Sequence, residues 1–432
     1  MYCDPRFSRV REAFERNFAE GEELGAAVAV HLDGELVVDL WDGVADRHTG
    51  RAWEADTPAF AYSCTKAVAA TVLLRLAERG LVDVRAPVAD VWPEFAAGGR
   101  EAITVEHVLT HSCGLPVIET PVPVAEFEDL PAIAARLAGQ TPLWEPGTAH
   151  GYHALTYGFL VGEVVRRVTG KSVGELVAAE IAGPLGLDLW VGAPDDVIPR
   201  AARLRAPARP RPNPENPAPA PASEASGTST PISGTPGAPA PASGTSPTPP
   251  PAPESPAPSG GGNGPGDGGG RDLLGEMGRA ALDPGSLMNR ALGNPAIRLL
   301  EGGANNPVIL RAGWPAAGVV TTAKGLSGFY RALVGGDLLS SATLQDALRP
   351  RVSGPDRVLF MDTAFGLGYM RPSFAFPMPS ATAFGHSGMG GSLGMGDPDR
   401  KLAFGYVMNR MADSLTGNLR GLRLIEAVYR CL

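Results

Sequence analysis

A stretch of 64 residues rich in proline and glycine, positions 207–270, limits what this chain can fold into. It contains 19 prolines, 12 glycines and no aromatic residue, and Ile232 is its only large aliphatic residue. Because such a segment cannot bury enough apolar surface to offset the entropy lost on ordering, we expect it to be a disordered insert. The other 368 of the 432 residues must form the core, and they suffice for one large domain or two closely packed lobes.

Charge and hydropathy exclude several classes of partner. The formal net charge is −9 and no basic run stands out, which argues against a nucleic-acid surface and against an anionic membrane as partner. No apolar stretch reaches the roughly 20 residues that a membrane-spanning helix needs. The first 25 residues are charged and amphipathic and lack the apolar core of a signal peptide. We therefore expect a cytoplasmic protein.

The cysteines and histidines predict neither a disulfide framework nor a metal site. His107 and His111 have the i, i+4 spacing of helical zinc ligands, but the glutamate of an HExxH motif is absent. No metal and no other cofactor is expected. The cysteines are widely spaced and include no CxxC pair; they are Cys3, Cys64, Cys113 and Cys431.

The periodicity of apolar residues predicts strands near both ends of the chain and helices between them. Two β-rich runs flank Asp33-Gly34, a dipeptide that favours a two-residue hairpin turn. A rhythm of three and four residues predicts a first helix at 7–20, and a last helix is predicted at 417–431. Further strands are expected at 365–370, 392–395 and 402–408, and further helices at 63–79, 105–110, 130–137, 157–168 and 322–334.

This order of elements is typical of an α+β fold. We expect the N-terminal hairpin to join the C-terminal strands in one antiparallel sheet, flanked by the first and last helices. Residues 1–84 and 310–432 would form this α/β part. Residues 85–309 would form a helical lobe that carries the insert.

The strongest local signal is the tetrapeptide Ser63-Cys64-Thr65-Lys66, which opens an otherwise apolar helix. At i and i+3, the serine hydroxyl and the lysine amine lie on one face of that helix. A serine hydroxyl becomes a nucleophile when a neighbouring base takes its proton, and lysine can be that base when burial lowers its pKa. Since only four of the 37 basic residues are lysines, the pairing favours chemistry over the alternative, a capping serine with a surface lysine.

Two further segments add polar groups. Gly151-Tyr152-His153-Ala154 contains a phenol that could relay protons if a nearby ammonium lowered its pKa; the alternative is a packed aromatic residue. The segment 384–392 contains His386 and four glycines. Its backbone could lie against a ligand and donate N–H groups to an oxyanion, or it could be only a glycine-rich loop.

Together, these three segments resemble those of the β-lactamase-like and penicillin-binding-protein-like serine hydrolases. That family carries SxxK, a downstream tyrosine motif and an HxG or KTG triplet on a late strand. The resemblance covers nearly the whole chain except 207–270, and the best subgroup match is the family VIII carboxylesterases, relatives of class C β-lactamases. Connecting segments that also resemble the family lie at 80–88, 92–95, 103–116, 158–170 and 317–323.

The resemblance implies a role for each motif. Ser63 would be the nucleophile, and Lys66 and Tyr152 would be the proton-transfer pair. The backbone N–H groups of Ser63 and Met389 would form the oxyanion hole. The segment that binds substrate and completes this hole would be His386-Ser387-Gly388-Met389.

Two positions differ from the β-lactamase pattern. His386 takes the place of the lysine in the KTG triplet. Ala154 stands where a β-lactamase has an asparagine that helps to hold the β-lactam amide. This second difference argues against antibiotic hydrolysis.

The expected function is therefore the hydrolysis of small-molecule carboxylic esters through an acyl-enzyme on Ser63. The alternative within the same enzyme class is a β-lactamase or a D-Ala-D-Ala-type peptidase. The alternative from another class is an acylatable binding or sensor protein that does not turn over. The sequence specifies neither the natural substrate nor the oligomeric state.

Several residues match motifs that we interpret as structural. Gly390-Gly391-Ser392-Leu393-Gly394 fits the G-x-S-x-G pattern of α/β-hydrolases, which works only as a sharp strand-to-helix turn. A strand rather than a helix is expected after it, so we reject this interpretation. Cys64 should face away from Ser63 and lie in the core, and His150 and His153 should either line the pocket or be hydrogen-bonded structural residues.

Overall fold

Every pair of neighbouring strands named below is antiparallel. The computed structural model describes residues 1–207 and 273–432. The predicted disorder of 207–270 lies, from position 208 onward, outside the described residues. The strands are β1 (Tyr2–Cys3), β2 (Gly25–Leu32), β3 (Glu35–Asp46), β4 (Arg51–Ala52), β5 (Ala59–Phe60), β6 (Leu189–Val191), β7 (Val319–Thr321), β8 (Val352–Pro355), β9 (Asp362–Phe365), β10 (Phe384–Ser387), β11 (Leu393–Asp397) and β12 (Leu402–Met408).

Helices fill the middle of the chain and lie at both of its ends. A 3-10 turn, Tyr62–Cys64, leads directly into the second helix. The helices are α1 (Ser8–Ala19), α2 (Thr65–Glu78), α3 (Val105–Leu109), α4 (Leu130–Ala138), α5 (Thr156–Thr169), α6 (Val173–Val177), α7 (Gly183–Leu185), α8 (Leu273–Leu282), α9 (Leu287–Gly293), α10 (Pro307–Ala312), α11 (Ala323–Gly335), α12 (Ser341–Leu348) and α13 (Leu419–Tyr429).

The predicted N-terminal hairpin is formed by β2 and β3. Asp33 and Gly34 join these strands with φ angles of 51° and 88°. A two-residue turn with both residues in the left-handed region matches the twist of the strands that it connects. The hairpin and its turn are therefore confirmed.

Strands from the two ends of the chain meet in one sheet, as the sequence predicts. β12 pairs with β2, so that Met408 lies opposite Ala26 and Leu402 lies opposite Leu32. The strand order is β1-β3-β2-β12-β11-β10, and β4 pairs with β3. A smaller sheet has the order β5-β7-β6, and β8 pairs with β9.

Different helices cover the two faces of the main sheet. Because side chains alternate along a strand, the large residues of β12 share one core with α1 and α13, and these are Leu402, Phe404, Tyr406 and Met408. The small residues between them face α11. At Gly405, a Cβ atom would lie 2.4 Å from the carbonyl oxygen of Ala323, where α11 begins. The helix–sheet–helix arrangement confirms the predicted α+β class.

Helix α2 is buried along most of its length, from Thr65 to Leu76. It packs against α5, α6 and strand β10. A helix with apolar residues on all sides belongs in a protein interior. A charged side chain on such a helix must find partners inside the protein or lose its charge.

Several predicted elements have different bounds in the structure, and two of the differences lie close to the candidate site. The strand expected at 365–370 is wrong beyond Phe365, because the chain then reverses tightly and bridges back at Met370. Glycines permit the reversal: Gly368 has a φ of 81°, and a Cβ on Gly366 would lie 2.1 Å from a carbonyl oxygen. The helix expected at 63–79 begins at Thr65. The division into an α/β part and a helical lobe stays a prediction, since the described residues pack as one compact unit.

Candidate active site

Ser63 lies on the strained 3-10 turn before α2 and is half-buried. The residue before it, Tyr62, has a φ of 46°, which is unfavourable for a bulky side chain and is found where surrounding structure enforces it. Thr65 provides part of that enforcement, since its hydroxyl donates to the Tyr62 carbonyl and accepts the N–H of Val319 at 2.8 Å. The turn therefore holds Ser63 in a fixed position at the start of a buried helix.

Lys66 is completely buried and has three polar neighbours. Its Nζ lies 3.2 Å from Ser63 Oγ, 2.8 Å from the carbonyl oxygen of Ala154 and 3.1 Å from that of Ala316. Burial lowers the pKa of Lys66 well below its usual value, and the structure gives it no carboxylate partner among the described residues. Burial therefore favours the neutral amine over the ammonium.

In its neutral form, the amine of Lys66 has two N–H donors and one lone pair. Carbonyl oxygens only accept hydrogen bonds, so the oxygens of Ala154 and Ala316 take both N–H groups. The lone pair is left for the hydroxyl of Ser63, at 3.2 Å. This geometry allows Lys66 to remove the Ser63 proton directly.

Tyr152 lies beside this pair. Its ring centroid is 4.7 Å from Lys66 Nζ, and a hydrogen bond to the side chain of Ser63 lowers its pKa in opposition to burial. Burial has the larger effect and raises the pKa of Tyr152 above its usual value. The condition considered from the sequence, a nearby ammonium that lowers this pKa, is not met, because burial has the larger effect. Tyr152 begins as a protonated phenol, a proton donor.

Asp356 holds the backbone of Tyr152 and was not found by the sequence analysis. Its Oδ1 accepts the N–H of Tyr152 at 3.0 Å and the N–H groups of Val358 and Leu359 at 2.8 and 2.9 Å. Its Oδ2 accepts the hydroxyl of Thr363 at 3.2 Å. In the sequence, Gly354-Pro355-Asp356 indicates only a turn. Nothing in that pattern shows that the carboxylate reaches residue 152.

Four histidines surround the site, and burial lowers the pKa of each. The pKa falls to about 3 for His153 and His386. It falls well below the usual value for His111 and is lowered for His150. The histidines next to Lys66 and Tyr152 therefore supply no positive charge at neutral pH.

His150 and His153 are hydrogen-bonded, in line with the structural alternative. His153 Nδ1 lies 2.6 Å from the carbonyl oxygen of Gly151, and its Nε2 accepts the N–H of Leu115 at 3.0 Å. His150 Nε2 lies 2.9 Å from Thr363 Oγ1. Both side chains thus support the segment around Tyr152.

His107 and His111, the two histidines with i, i+4 spacing, both have structural partners. His107 caps α3, where its Nδ1 accepts the N–H of Thr104 at 3.2 Å. The nitrogen Nδ1 of His111 accepts the N–H of His153 at 3.1 Å. Within residues 1–207 and 273–432, no three metal-ligating side chains form a group.

His386 reaches the site from strand β10. Its ring centroid lies 6.0 Å from that of Tyr152. Nδ1 is 2.8 Å from the carbonyl oxygen of Ser387, so this nitrogen carries the hydrogen. Nε2 is therefore an acceptor, and it is buried without a partner among the described residues.

The neighbouring residue, Ser387, points elsewhere. It is 3 % exposed, and its hydroxyl contacts the sulfur of Met370 at 3.8 Å. Adjacent residues on a strand face opposite sides of the sheet, so Ser387 turns away as His386 turns toward Tyr152. The structure therefore brings together Ser63, Lys66, Tyr152 and His386, but not the hydroxyl of Ser387.

Gly388 allows strand β10 to approach the turn that carries Ser63. A Cβ on Gly388 would lie 2.3 Å from the carbonyl oxygen of Ala61. Cys64 adds a second contact, since its thiol donates to the carbonyl oxygen of His386 at 3.4 Å. Among the described residues, the backbone N–H groups of Ser63 and Met389 have no acceptor.

The alternative nucleophiles are unsuitable. Cys64 is fully buried, and burial raises its pKa to about 12, so it is not a thiolate. Ser392 is 1 % exposed and leads into strand β11 rather than into a helix. The rejection of a nucleophile elbow at Ser392 is therefore confirmed.

In the parts of the chain that the structure describes, no helix is long and apolar enough to cross a membrane.

Comparisons with known proteins indicate the family of the chain. The beta-lactamase family model matches residues 10–427. Esterase/beta-lactamase LipL of Mycobacterium tuberculosis is 34% identical over 424 residues, covering 96% of this chain and 83% of the relative. Esterase EstB of Burkholderia gladioli is 32% identical over 198 residues, covering 42% of this chain and half of the relative.

Solved structures extend the similarity to the whole fold. A family VIII carboxylesterase superposes with a TM-score of 0.77 at 32% identity, covering 100% of this chain and 99% of the other. A penicillin-binding protein homologue from Caulobacter crescentus has the same TM-score at 35% identity, with the same coverage. The chain therefore belongs to the beta-lactamase family of serine hydrolases.

Proposed function

We propose that this chain hydrolyses carboxylic esters of small molecules through an acyl-enzyme formed on Ser63. The observation that carries the proposal is the 3.2 Å approach of Lys66 Nζ to Ser63 Oγ. Both amine hydrogens of Lys66 are taken by carbonyl oxygens, so its lone pair is available to accept the Ser63 proton. A serine nucleophile requires such a base.

In the acylation step, Ser63 Oγ attacks the carbonyl carbon of the ester while its proton moves to Lys66 Nζ. The carbonyl oxygen becomes an oxyanion, and we assign the N–H groups of Ser63 and Met389 as its donors. Tyr152 then protonates the alcohol oxygen as the carbon–oxygen bond breaks, and it takes the proton from Lys66 in return. The products are the free alcohol and acyl-Ser63.

In the deacylation step, a water molecule attacks the acyl carbon. Its proton passes to Lys66, and Ser63 Oγ leaves and recovers a proton through Tyr152. The carboxylic acid is released and the site returns to its starting state. Burial lowers the pKa of Lys66 and raises that of Tyr152, so one begins as a base and the other as an acid.

Two features favour an ester over a β-lactam or a peptide. Ala154 has no side-chain amide, and its carbonyl oxygen is already bonded to Lys66 at 2.8 Å. Burial lowers the pKa values of Lys66, His111 and His386, which disfavours positive charge on these groups beside Tyr152. An uncharged substrate suits such a site better than an anionic antibiotic. The esterase names of several relatives point the same way.

The test is a panel of p-nitrophenyl esters assayed beside a chromogenic cephalosporin. We expect multiple turnover with the uncharged esters and little or none with the cephalosporin. Faster cephalosporin hydrolysis would favour the β-lactamase alternative. A burst of one equivalent of p-nitrophenol without further turnover would favour the acylatable binding protein.

Replacing Ser392 by alanine should leave ester hydrolysis almost unchanged. Ser392 Oγ is buried, has no hydrogen-bond partner among the described residues and is followed by a strand. Its removal takes away no contact with the groups assigned to the reaction. The measurement is steady-state kcat/KM, and a loss as large as that of Ser63→Ala would make Ser392 a candidate nucleophile again.

A further inference from the structure

The loop formed by residues 388–391, which joins β10 to β11, is anchored on both sides of Met389. We call it the oxyanion loop. On one side, the N–H of Gly388 donates to the carbonyl oxygen of Ser392 at 2.7 Å. On the other side, the N–H of Gly390 donates to the carbonyl oxygen of Ser414 at 3.0 Å. The direction of the Met389 N–H depends on both anchors.

The carbonyl oxygen of Gly390 receives three donors. These are the N–H of Ala412 at 2.9 Å, Nδ2 of Asn418 at 3.2 Å and Nη2 of Arg420 at 3.4 Å. Gly391 allows Asn418 to come so close, because a Cβ there would lie 1.9 Å from Nδ2. Two of the three donors are therefore side chains at the start of α13.

Arg420 is buried and binds several distant segments at once. Its side chain is 6 % exposed. Besides Gly390, it donates to the carbonyl oxygens of Glu22 and Arg410, both at 2.7 Å. It also donates to Oε2 of Glu23 at 2.7 Å. The guanidinium thus connects the chain before β2, the end of β12 and the oxyanion loop.

Glu23 completes the group. Its side chain is fully buried, and its other carboxyl oxygen accepts the hydroxyl of Tyr406. Buried ion pairs contribute little net stability, because the cost of desolvation offsets their attraction, and in some proteins they are retained for positional specificity. The buried Arg420–Glu23 pair lies behind the Met389 N–H, and its cost of desolvation is consistent with a positioning role.

We propose that Arg420 and Asn418, backed by Glu23, form a clamp that holds the oxyanion loop and so aims the N–H of Met389 at the developing oxyanion. The proposal rests on the function proposed above. Arg420 and Asn418 are positioning residues, since they act through the carbonyl of Gly390 and touch no reacting atom. Tightening an oxyanion donor lowers the energy of the transition state more than that of the bound substrate.

Two conservative substitutions test the clamp without removing its core contacts. Asn418→Asp keeps an oxygen that can accept the N–H of Gly421, the N-cap bond of α13 now 2.8 Å long, but loses the donor to Gly390. Arg420→Lys keeps the charge beside Glu23 but loses the forked guanidinium. The matched control is Arg423→Lys on the same helix, because Arg423 pairs with Glu20 and Glu22 and donates to Oδ1 of Asn17, away from the oxyanion loop.

The readouts are kcat and KM for a p-nitrophenyl ester, and the affinity for phenylboronic acid, whose adduct with Ser63 imitates the tetrahedral intermediate. We expect each clamp variant to lose about 10-fold in kcat, less than the loss of a whole oxyanion donor. KM should change little, boronic acid affinity should fall by a similar factor, and the control should match the wild type.

Unchanged kcat and unchanged boronic acid affinity in both clamp variants would overturn the clamp. A loss that merely follows the folded fraction, measured by thermal melting and by fluorophosphonate titration of Ser63, would also overturn it. Neither result touches the proposed function, which stands or fails on ester turnover and on labelling of Ser63 in the wild-type protein. The two ideas therefore fail separately.

Discussion

Replacing Ser63 by alanine should abolish ester hydrolysis, with a loss in kcat/KM of at least about 10³-fold. No other described nucleophile can take its place, because Cys64 is fully buried with a pKa raised to about 12 and Ser392 is buried behind the oxyanion loop. Ser63 is only half-buried, so the substitution should change the free energy of unfolding by no more than about 0.5 kcal/mol. The measurements are kcat/KM with p-nitrophenyl acetate and a thermal melt.

Covalent labelling tests the reactivity of Ser63 independently of ester turnover. A fluorophosphonate should modify one peptide of the wild-type protein, the one that contains Ser63, and nothing in Ser63→Ala. Ser392→Ala is the matched control and should be labelled like the wild type. Activity of Ser63→Ala within tenfold of the wild type would contradict the assignment of the nucleophile.

Replacing Lys66 by methionine should lower kcat/KM by about 10²-fold or more, the usual size of a general-base contribution. Methionine fills a similar volume but has no lone pair of comparable basicity for the Ser63 proton, now 3.2 Å from Nζ. Tyr152 cannot take over as the base, because burial raises its pKa and keeps it protonated. The matched control is Lys324→Met, since Lys324 is a half-exposed lysine near Asp39.

The same substitution should raise the melting temperature. Burial lowers the pKa of Lys66 in the folded state, whereas in the unfolded chain the pKa keeps its usual value, so folding of the protonated chain carries a cost in free energy. This cost is present below the usual lysine pKa of about 10.4 and grows as the pH falls toward the lowered pKa of the folded state. The gain in melting temperature of Lys66→Met should therefore be larger at pH 6 than at pH 10.

The pH dependence of the wild-type rate follows from the same pKa shift. Activity should fall only when the pH drops through the lowered pKa of Lys66, because the ammonium cannot act as a base. A rate that is lost below the usual lysine pKa would contradict a neutral Lys66. So would a Lys66→Met variant that keeps the wild-type rate; the base would then have to be sought at His153 or His386.

Local patterns were sufficient for much of the architecture. The turn at Asp33-Gly34, the strand at 402–408 and the apolar helix after Ser63 each depend on neighbouring residues, and each is confirmed. The prediction at 365–370 is wrong because a strand pattern and a tight glycine reversal look alike over six residues. The contact of Gly366 with the chain near Ala347 distinguishes them, and that contact is not local.

The candidate site, like the fold, could be predicted from the sequence only in part. Ser63 and Lys66 could be paired from their spacing, since three residues of helix bring them to one face. The spacing of Ser63 and Lys66 does not show that the carbonyl oxygens of Ala154 and Ala316 accept hydrogen bonds from the lysine amine. Those two residues lie 88 and 250 positions away from Lys66.

The sequence by itself predicted the α+β order of elements and the pairing of Ser63 with Lys66, because these depend on periodicity and short spacings, and the resemblance of its motifs indicated the family. Only the tertiary structure decided the pKa shifts, since burial lowers the pKa of Lys66 and raises that of Tyr152. It also decided which groups hold the site in place. Asp356 behind Tyr152 and Arg420 behind the oxyanion loop act across long separations in the chain. Such contacts exist only after packing has brought distant segments together.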